Sequence, residues 1–232
     1  MKINVIMPML GEGSRMKGLQ GTIKPLMALP DGDLFFVKAL SSLEEYEIDS
    51  LVLVVREEYA QEFINMRGKL SKSCNRLYII SHKPTQSHYE SFCVGFNALR
   101  DYAPMEYGRE SLVVLDCDIY APLPLFTDFC AAGLFTFRDL SNEANKSYVS
   151  TIGSKAIQIA EKERISGNAV FGAYLFNDVQ LLEEIVDELK CLRNMSDVYK
   201  ILLLRGDKVK VKTVKDVMLY GTKEEFLKIE AI

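Results

Sequence analysis

Near-continuous apolar runs at 3–9, 51–56, 76–81 and 112–116 are each bounded by polar or turn-forming residues. Such runs fit strands buried on both faces of a parallel sheet. Between them the spacing turns helical, over Leu34 to Leu43 after the Pro30-Asp31-Gly32-Asp33 turn, over 57–67 with Tyr59, Phe63 and Met66, and over 88–100 with Phe92, Phe96 and Leu99. Strand, helix and strand in repetition predict a mostly parallel sheet covered by helices on both faces. The second half changes character. Phe135-Thr136-Phe137, Tyr148-Val149-Ser150, Ile157 to Ala160 and Ala169 to Phe176 read as short strands added in antiparallel fashion. Helices are expected at about 178–190 and 196–204, with Asn177 or Asp178 and then Ser196 as N-caps. A strand from Val209 to Val214, a neighbour at 217–220 and a helix from about 222 follow. Without a repeat, low-complexity tract or long linker, the pattern predicts one domain over 1–232, a three-layer α/β/α sandwich with a mixed, mostly parallel central sheet.

Composition narrows the partners. The chain has 232 residues, 48% of them hydrophobic and 26% charged, as in ordinary soluble globular proteins. A net charge of −4 argues against a nucleic-acid partner. No apolar run approaches the ~20 residues that span a bilayer, and Met1-Lys2 leads straight into a strand, so neither a membrane partner nor a leader is expected. Cys74, Cys93, Cys117, Cys130 and Cys191 are scattered without a Cys-x-x-Cys pair, which fits reduced thiols and a cytoplasmic location. Of the two histidines, His82 and His88, neither has a partner motif, so both read as packing or surface residues rather than ligands or bases.

Five segments carry candidate chemistry. The first strand ends in Leu10-Gly11-Glu12-Gly13-Ser14-Arg15-Met16, and Lys24-Pro25-Leu26 follows nine residues after Arg15. A glycine-punctuated bend after a strand brings backbone N–H groups, an arginine and a lysine toward phosphate oxygens. The run is not a Walker loop, and Met16 stands where a dinucleotide fingerprint needs its third glycine. Next, Leu112 to Leu115 deliver Asp116-Cys117-Asp118 at a strand's carboxyl end, where open α/β sheets place their ligand crevice. Mg²⁺ takes one or two carboxylates together with phosphate and water oxygens, although an Asp-x-Asp also serves as an ordinary turn. Glu161-Lys162, followed by Gly172-Ala173-Tyr174, is either a solvated surface pair or part of a ligand wall that Gly172 lets the backbone approach. In Thr85-Gln86-Ser87 the last residue has capping-box spacing to Glu90, as Thr222 has to Glu225 in Tyr220-Gly221-Thr222-Lys223-Glu224-Glu225.

Together, Gly11-x-Gly13-Ser14-Arg15 with Lys24-Pro25, Asp118, Glu161-Lys162 with Gly172-x-Tyr174, and Gly221-Thr222 resemble the sugar-phosphate nucleotidyltransferase family. The resemblance covers most of the chain and points to the small cytidylyl- and thymidylyltransferases of bacterial capsule and surface-polysaccharide clusters. It implies a Rossmann-like, GT-A-like fold and a Mg²⁺-dependent enzyme, and it admits a homodimer. Such an enzyme moves NMP from CTP, UTP or dTTP to a sugar 1-phosphate or another small phosphorylated acceptor and releases pyrophosphate. Leu10, Gly11, Gly13, Ser14, Arg15, Lys24, Thr85, Ser87 and Asp116 are then the expected nucleotide contacts, with Thr85 and Ser87 equally well explained as capping residues. Asp118 is the expected metal ligand, and Glu161, Lys162, Gly172 and Tyr174 face the acceptor. Arg15 and Lys24 would meet the triphosphate's charge, with Lys162 on the attacking phosphate. A phosphate dianion is already the nucleophile, so no general base is required.

The chain departs from the family pattern at several positions. Leu10 stands where alanine is common and Ile23 where proline often precedes the lysine, the Thr85 turn lacks a glycine, and Lys223 replaces a proline. Leu219 occupies the position at which many relatives carry a second metal-binding aspartate, and Asp216 is out of register with it. Two other classes therefore stay open. One is a GT-A-type glycosyltransferase that binds a nucleotide sugar through Asp116-Cys117-Asp118; the other is a non-catalytic nucleotide-binding relative.

Overall fold

The computed structural model describes residues 1–16, 19–105, 108, 110–127, 130–141 and 143–230. The first half alternates β1 (Lys2–Met9), α1 (Phe35–Ser41), β2 (Glu47–Arg56), α2 (Ala60–Asn65), α3 (Arg67–Leu70), β3 (Arg76–His82), α4 (His88–Tyr102), β4 (Ser111–Leu115) and the short β5 (Ile119–Tyr120). The second half comprises β6 (Ala132–Arg138), β7 (Ser147–Ile152), β8 (Lys155–Glu161), β9 (Asn168–Phe176), α5 (Val179–Glu188), α6 (Met195–Arg205), β10 (Val209–Thr213), β11 (Met218–Leu219) and α7 (Lys223–Glu230). β3, β2, β1 and β4 pair in parallel, with Met7 beside Leu53 and Ile6 beside Val114. β9 then runs antiparallel to β4, and β6, β8 and β7 add further antiparallel pairings, so the sheet is mixed but not the mostly parallel one expected.

Alternation along each strand fills two cores. Ile3, Val5, Met7, Leu51 and Leu53 pack with Phe36 and Leu40 of α1 and Phe63 of α2 on one face. Ile6, Val52, Val54, Leu112 and Val114 pack with Phe92, Phe96 and Leu99 of α4 and with α5 and α6 on the other. The carboxyl ends of β1 and β4 consequently open side by side, with the start of α4 beside them.

Four further expectations need correction. The central sheet does not stay an open layer: β9, β6, β10, β8 and β7 pair in sequence, and a Tyr148–Ala169 bridge returns β7 to β9, closing a five-stranded ring. The 57–67 helix is a short 3₁₀ turn followed by α2 and α3, which divide at Met66, where φ −86° and ψ −2° leave the regular helical geometry. The strand near 217–220 does not neighbour β10; β11 pairs with β5 in a separate two-stranded sheet. The N-cap of α6 is Asn194, in a capping box with Asp197, and Ser196 is buried inside the helix.

Close helix–sheet contact depends on Gly95 of α4. A Cβ there would lie 2.7 Å from the Cγ2 atoms of both Ile6 and Val54. Alanine gains up to ~1 kcal/mol in helix propensity over glycine, whereas overpacking a core costs about 1–3 kcal/mol. Gly95→Ala is therefore expected to destabilise the fold in a urea titration; a rise in midpoint would show that α4 can lift off without cost.

Candidate active site

The phosphate-type bend takes its shape from the residues the sequence singles out. After β1, Gly13 adopts φ +62°, and the Met16 N–H donates to the Gly13 carbonyl at 2.8 Å, closing a 3₁₀ turn over Ser14–Met16. Met16 anchors that turn in a small core with Phe35, Tyr220 and Phe226. Gly11, Ser14 and Arg15 remain exposed on the outer side of the bend. Pro25 sits in the first turn of a second 3₁₀ segment, Lys24–Leu26, which turns Lys24 back under the bend. A Cβ on Gly13 would come within 3.1 Å of the Lys24 Cβ.

Lys24 Nζ forms an ion pair with Asp118 Oδ2 beyond the end of β4. Burial alone would lower the lysine's pKa; Asp118 outweighs that effect and holds it above its usual value. Burial would likewise raise the Asp118 pKa, but Lys24, then Arg15 and His88, keep it below the ordinary carboxylate range. The β5–β11 pairing delivers the next segment, with the Tyr220 N–H donating to the Asp118 carbonyl at 3.2 Å. A Cβ on Gly221 would crowd the Asp118 carboxylate, which would have to shift to admit it.

Asp116 is held in a similar way. Its N–H donates to the Gly172 carbonyl at 2.8 Å, and a Cβ on Gly172, which has φ +85°, would lie 2.6 Å from Asp116 Oδ2. His88 Nε2 is 3.0 Å from Asp116 Oδ1 but off the line of a hydrogen bond. Burial opposes protonation of His88, yet Asp116 raises its pKa above the usual histidine value. His88 thus lines the cleft beside Asp116, a placement its sequence context does not announce. Its lack of any sequence motif hid this, because the contact joins the start of α4 to the end of β4.

Arg15, Lys24, Asp116 and Asp118 line one cleft of about 800 Å³. Gly11, Gly13, Ser14, Thr85, Ser87, Glu161, Gly172 and Tyr174 line the same space. Ser87 caps α4 by accepting from the Glu90 N–H at 3.1 Å, and Thr85 Oγ1 donates to the Ser87 carbonyl at 3.2 Å, so both hydroxyls also hold their own turn. Tyr174 is buried, and its hydroxyl pKa is driven far up by burial and then by Asp116 and Glu161. Glu161 accepts from the Ser196 hydroxyl at 3.0 Å and also from Ser147.

Two expected contacts lie elsewhere. Leu10, the residue after β1, is fully buried, and its side chain joins Ile6 in the core under α4 instead of lining the cleft. Lys162 is exposed and lines an adjoining cavity of about 710 Å³, which shares Arg15, Asn145, Glu161, Asn194 and Thr222 with the cleft. Lys146, Asn145 and Asn194 line the cleft without having been singled out in the sequence.

The donor set suits a hard cation whose shell is completed by other oxygens. Among the described residues no three His, Cys, Asp or Glu side chains gather as a ligand set, and Leu219 lines the cleft as an apolar residue. Asp116 and Asp118 nevertheless present two carboxylates, each packed against a glycine, Gly172 and Gly221, where an added side chain would displace it. Mg²⁺ commonly uses such a pair together with substrate phosphates and water.

No protein-family model and no curated protein sequence matches the chain. Solved structures match it over nearly its whole length. The nucleoside-diphosphate-sugar pyrophosphorylase of Vibrio cholerae RC9 superposes with a TM-score of 0.79 at 22% identity, covering 98% of this chain and all of that one. The inositol-1-phosphate CTP transferase of T. maritima gives 0.76 at 15% identity, covering 99% and 96%. A UDP-glucose pyrophosphorylase complexed with UDP-glucose gives 0.74 at 15% identity, covering 100% and 98%. These structures belong to the family that the motifs resemble, and the chain shares their mixed α/β fold. No helix among the described residues is long and apolar enough to cross a membrane.

Two glycines separate backbone conformation from crowding. Gly153 has φ +57° with nothing within 4 Å of a built Cβ, whereas Gly172 has φ +85° and the Asp116 carboxylate in the way. Gly153→Ala is expected to cost about 1–2 kcal/mol for the left-handed backbone alone, and Gly172→Ala to cost more because Asp116 must move as well. Equal losses in chemical denaturation would mean that Asp116 yields freely.

Proposed function

We propose that the chain is a single-domain, Mg²⁺-dependent nucleotidyltransferase that moves NMP from an NTP to a small phosphorylated acceptor, a sugar 1-phosphate or a related metabolite, and releases pyrophosphate. The observation that carries this reading is the meeting of the glycine bend, Arg15 and Lys24 with Asp116 and Asp118 in one cleft. A glycosyltransferase using a nucleotide sugar needs the aspartates but has no evident use for the bend and its two cations. The likeness to nucleotidyltransferase structures over the whole chain supports the same choice.

In this reading the triphosphate lies along the 11–15 bend. Backbone N–H groups and Arg15 meet its oxygens, and Lys24, which reaches from Gly13 to Asp118, meets the charge that grows on the departing pyrophosphate. Asp118, with Asp116 beside it, would hold Mg²⁺, which supplies charge neutralisation to the phosphates when bound. Thr85 and Ser87 flank the cleft where the base would lie. Across it, Glu161 and the cations Lys146 and Lys162 stand on the acceptor's side. The acceptor phosphate attacks the α-phosphorus in line; the new P–O bond forms as the bond to pyrophosphate breaks, and no side chain need remove a proton. The cytoplasm and surface-polysaccharide assembly are the setting we propose for this activity.

Pyrophosphate release, measured with each of the four NTPs, Mg²⁺ and a panel of phosphomonoesters, tests the proposal. Lys24→Ala and Asp118→Ala are expected to slow release by roughly 10²–10³-fold, the scale of a lost preorganised charge, while still melting cooperatively. Near-normal rates in both variants would remove them from the mechanism. Cleavage of a nucleotide sugar in place of pyrophosphate release would favour the glycosyltransferase.

A further inference from the structure

Two lysines compete for the acceptor's phosphate, and they are neighbours across the β7–β8 hairpin. Ser147 pairs with Glu161 at its mouth, and just outside that pair the Lys162 N–H donates to the Lys146 carbonyl at 2.9 Å. The motif reading favours Lys162. Yet Lys162 takes the left-handed backbone at φ +54°, its side chain is exposed, and it lines only the adjoining cavity. Non-glycine residues adopt that conformation at a cost, and here the turn brings the N–H back onto Lys146.

Lys146 lies on the cleft side, with its side chain only 18% exposed. The strap before it is tied down at several points. Asp139 is buried and accepts from the Tyr148 hydroxyl at 2.6 Å and from the Ser141 N–H at 3.1 Å. The same hydroxyl lies 3.0 Å from the Glu143 carbonyl, with its one proton directed to the closer Asp139, and Arg164 Nη2 donates to the Asp139 carbonyl at 2.6 Å. Lys146 Nζ donates to Asn145 Oδ1 at 3.0 Å and stands 3.9 Å from Asp139 Oδ1. An ammonium has three donors, and these contacts engage it without the direct carboxylate contact that Lys24 has. Ser147, the next residue, donates to Glu161, so the carboxylate is held beside the strand that Lys146 leads into.

We propose that Lys146 supplies the ammonium that binds the acceptor's phosphate, and that Lys162 acts chiefly through its backbone, as the hook that positions Lys146. The inference rests on a phosphorylated acceptor occupying this side of the cleft, and it assigns the phosphate to a residue outside the Glu-Lys motif.

Calorimetric titration of glucose 1-phosphate, myo-inositol 1-phosphate, O-phosphoethanolamine and phosphocholine tests it without requiring turnover. These probes share only the phosphate. Lys146→Met, which keeps the aliphatic stem, is expected to weaken the best-bound probe about tenfold or more, the scale of a lost hydrogen bond to a charged group. Lys162→Gly keeps the left-handed turn and its N–H, and is expected to weaken binding by less than a third of that factor. Lys146→Gln replaces Lys146→Met should the latter fail to melt cooperatively. An equal or larger loss in Lys162→Gly, no loss at Lys146, or no probe binding to the wild-type chain would overturn the proposal. Lys146-dependent binding without pyrophosphate release from any NTP would leave the phosphate site standing and sink nucleotidyl transfer instead.

Discussion

Lys24 and Asp118 are 94 residues apart in sequence, yet their side chains meet, and the rest of the cleft is arranged around that contact. A largely buried ion pair endures only where backbone and neighbouring groups are fixed closely enough to offset the loss of water. Three glycines show how close the fit is. Gly13 packs against the stem of Lys24, Gly221 against the Asp118 carboxylate and Gly172 against Asp116, each closely enough that an added carbon would push its neighbour aside. Opposite charges are thereby concentrated at the point where the proposed function sets the triphosphate and Mg²⁺.

The sheet explains why these segments converge. Parallel pairing of β1 with β2 and β4 sends the glycine bend and the two aspartates out of the same edge. β9 then runs antiparallel beside β4 and brings Gly172 and Tyr174 to the aspartates. The small β5–β11 sheet adds Gly221 from near the chain's end. The ring formed by β9, β6, β10, β8 and β7 holds the hairpin that carries Ser147 and Glu161, so the opposite wall is fixed independently of the bend.

Much of this could be read from the sequence where one local rule was decisive. Runs such as Leu112 to Leu115 announced buried strands, and Ser87 and Thr222 announced their helices through spacing alone. Residues whose role depends on distant partners were harder to read. His88 looks isolated until α4 starts beside Asp116. Ser196 resembles an N-cap, but Asn194 takes that task and leaves the serine to hold Glu161. Lys146 lies in a strap whose shape depends on Asp139, Tyr148 and Arg164, three residues without a motif in common. The closed ring was equally hidden, because a single bridge between Tyr148 and Ala169 distinguishes it from an open sheet.

The proposed function depends on where a bound triphosphate sits. A crystal structure of the chain grown with Mg²⁺ and an NTP analogue blocked at the α–β bridge would decide this. The proposed site requires phosphate density between the 11–15 bend and Asp118, with Lys24 turned from the carboxylate toward the phosphates. Phosphates bound in the outer cavity by Lys162 and Lys223, with the Lys24–Asp118 pair intact, would contradict it.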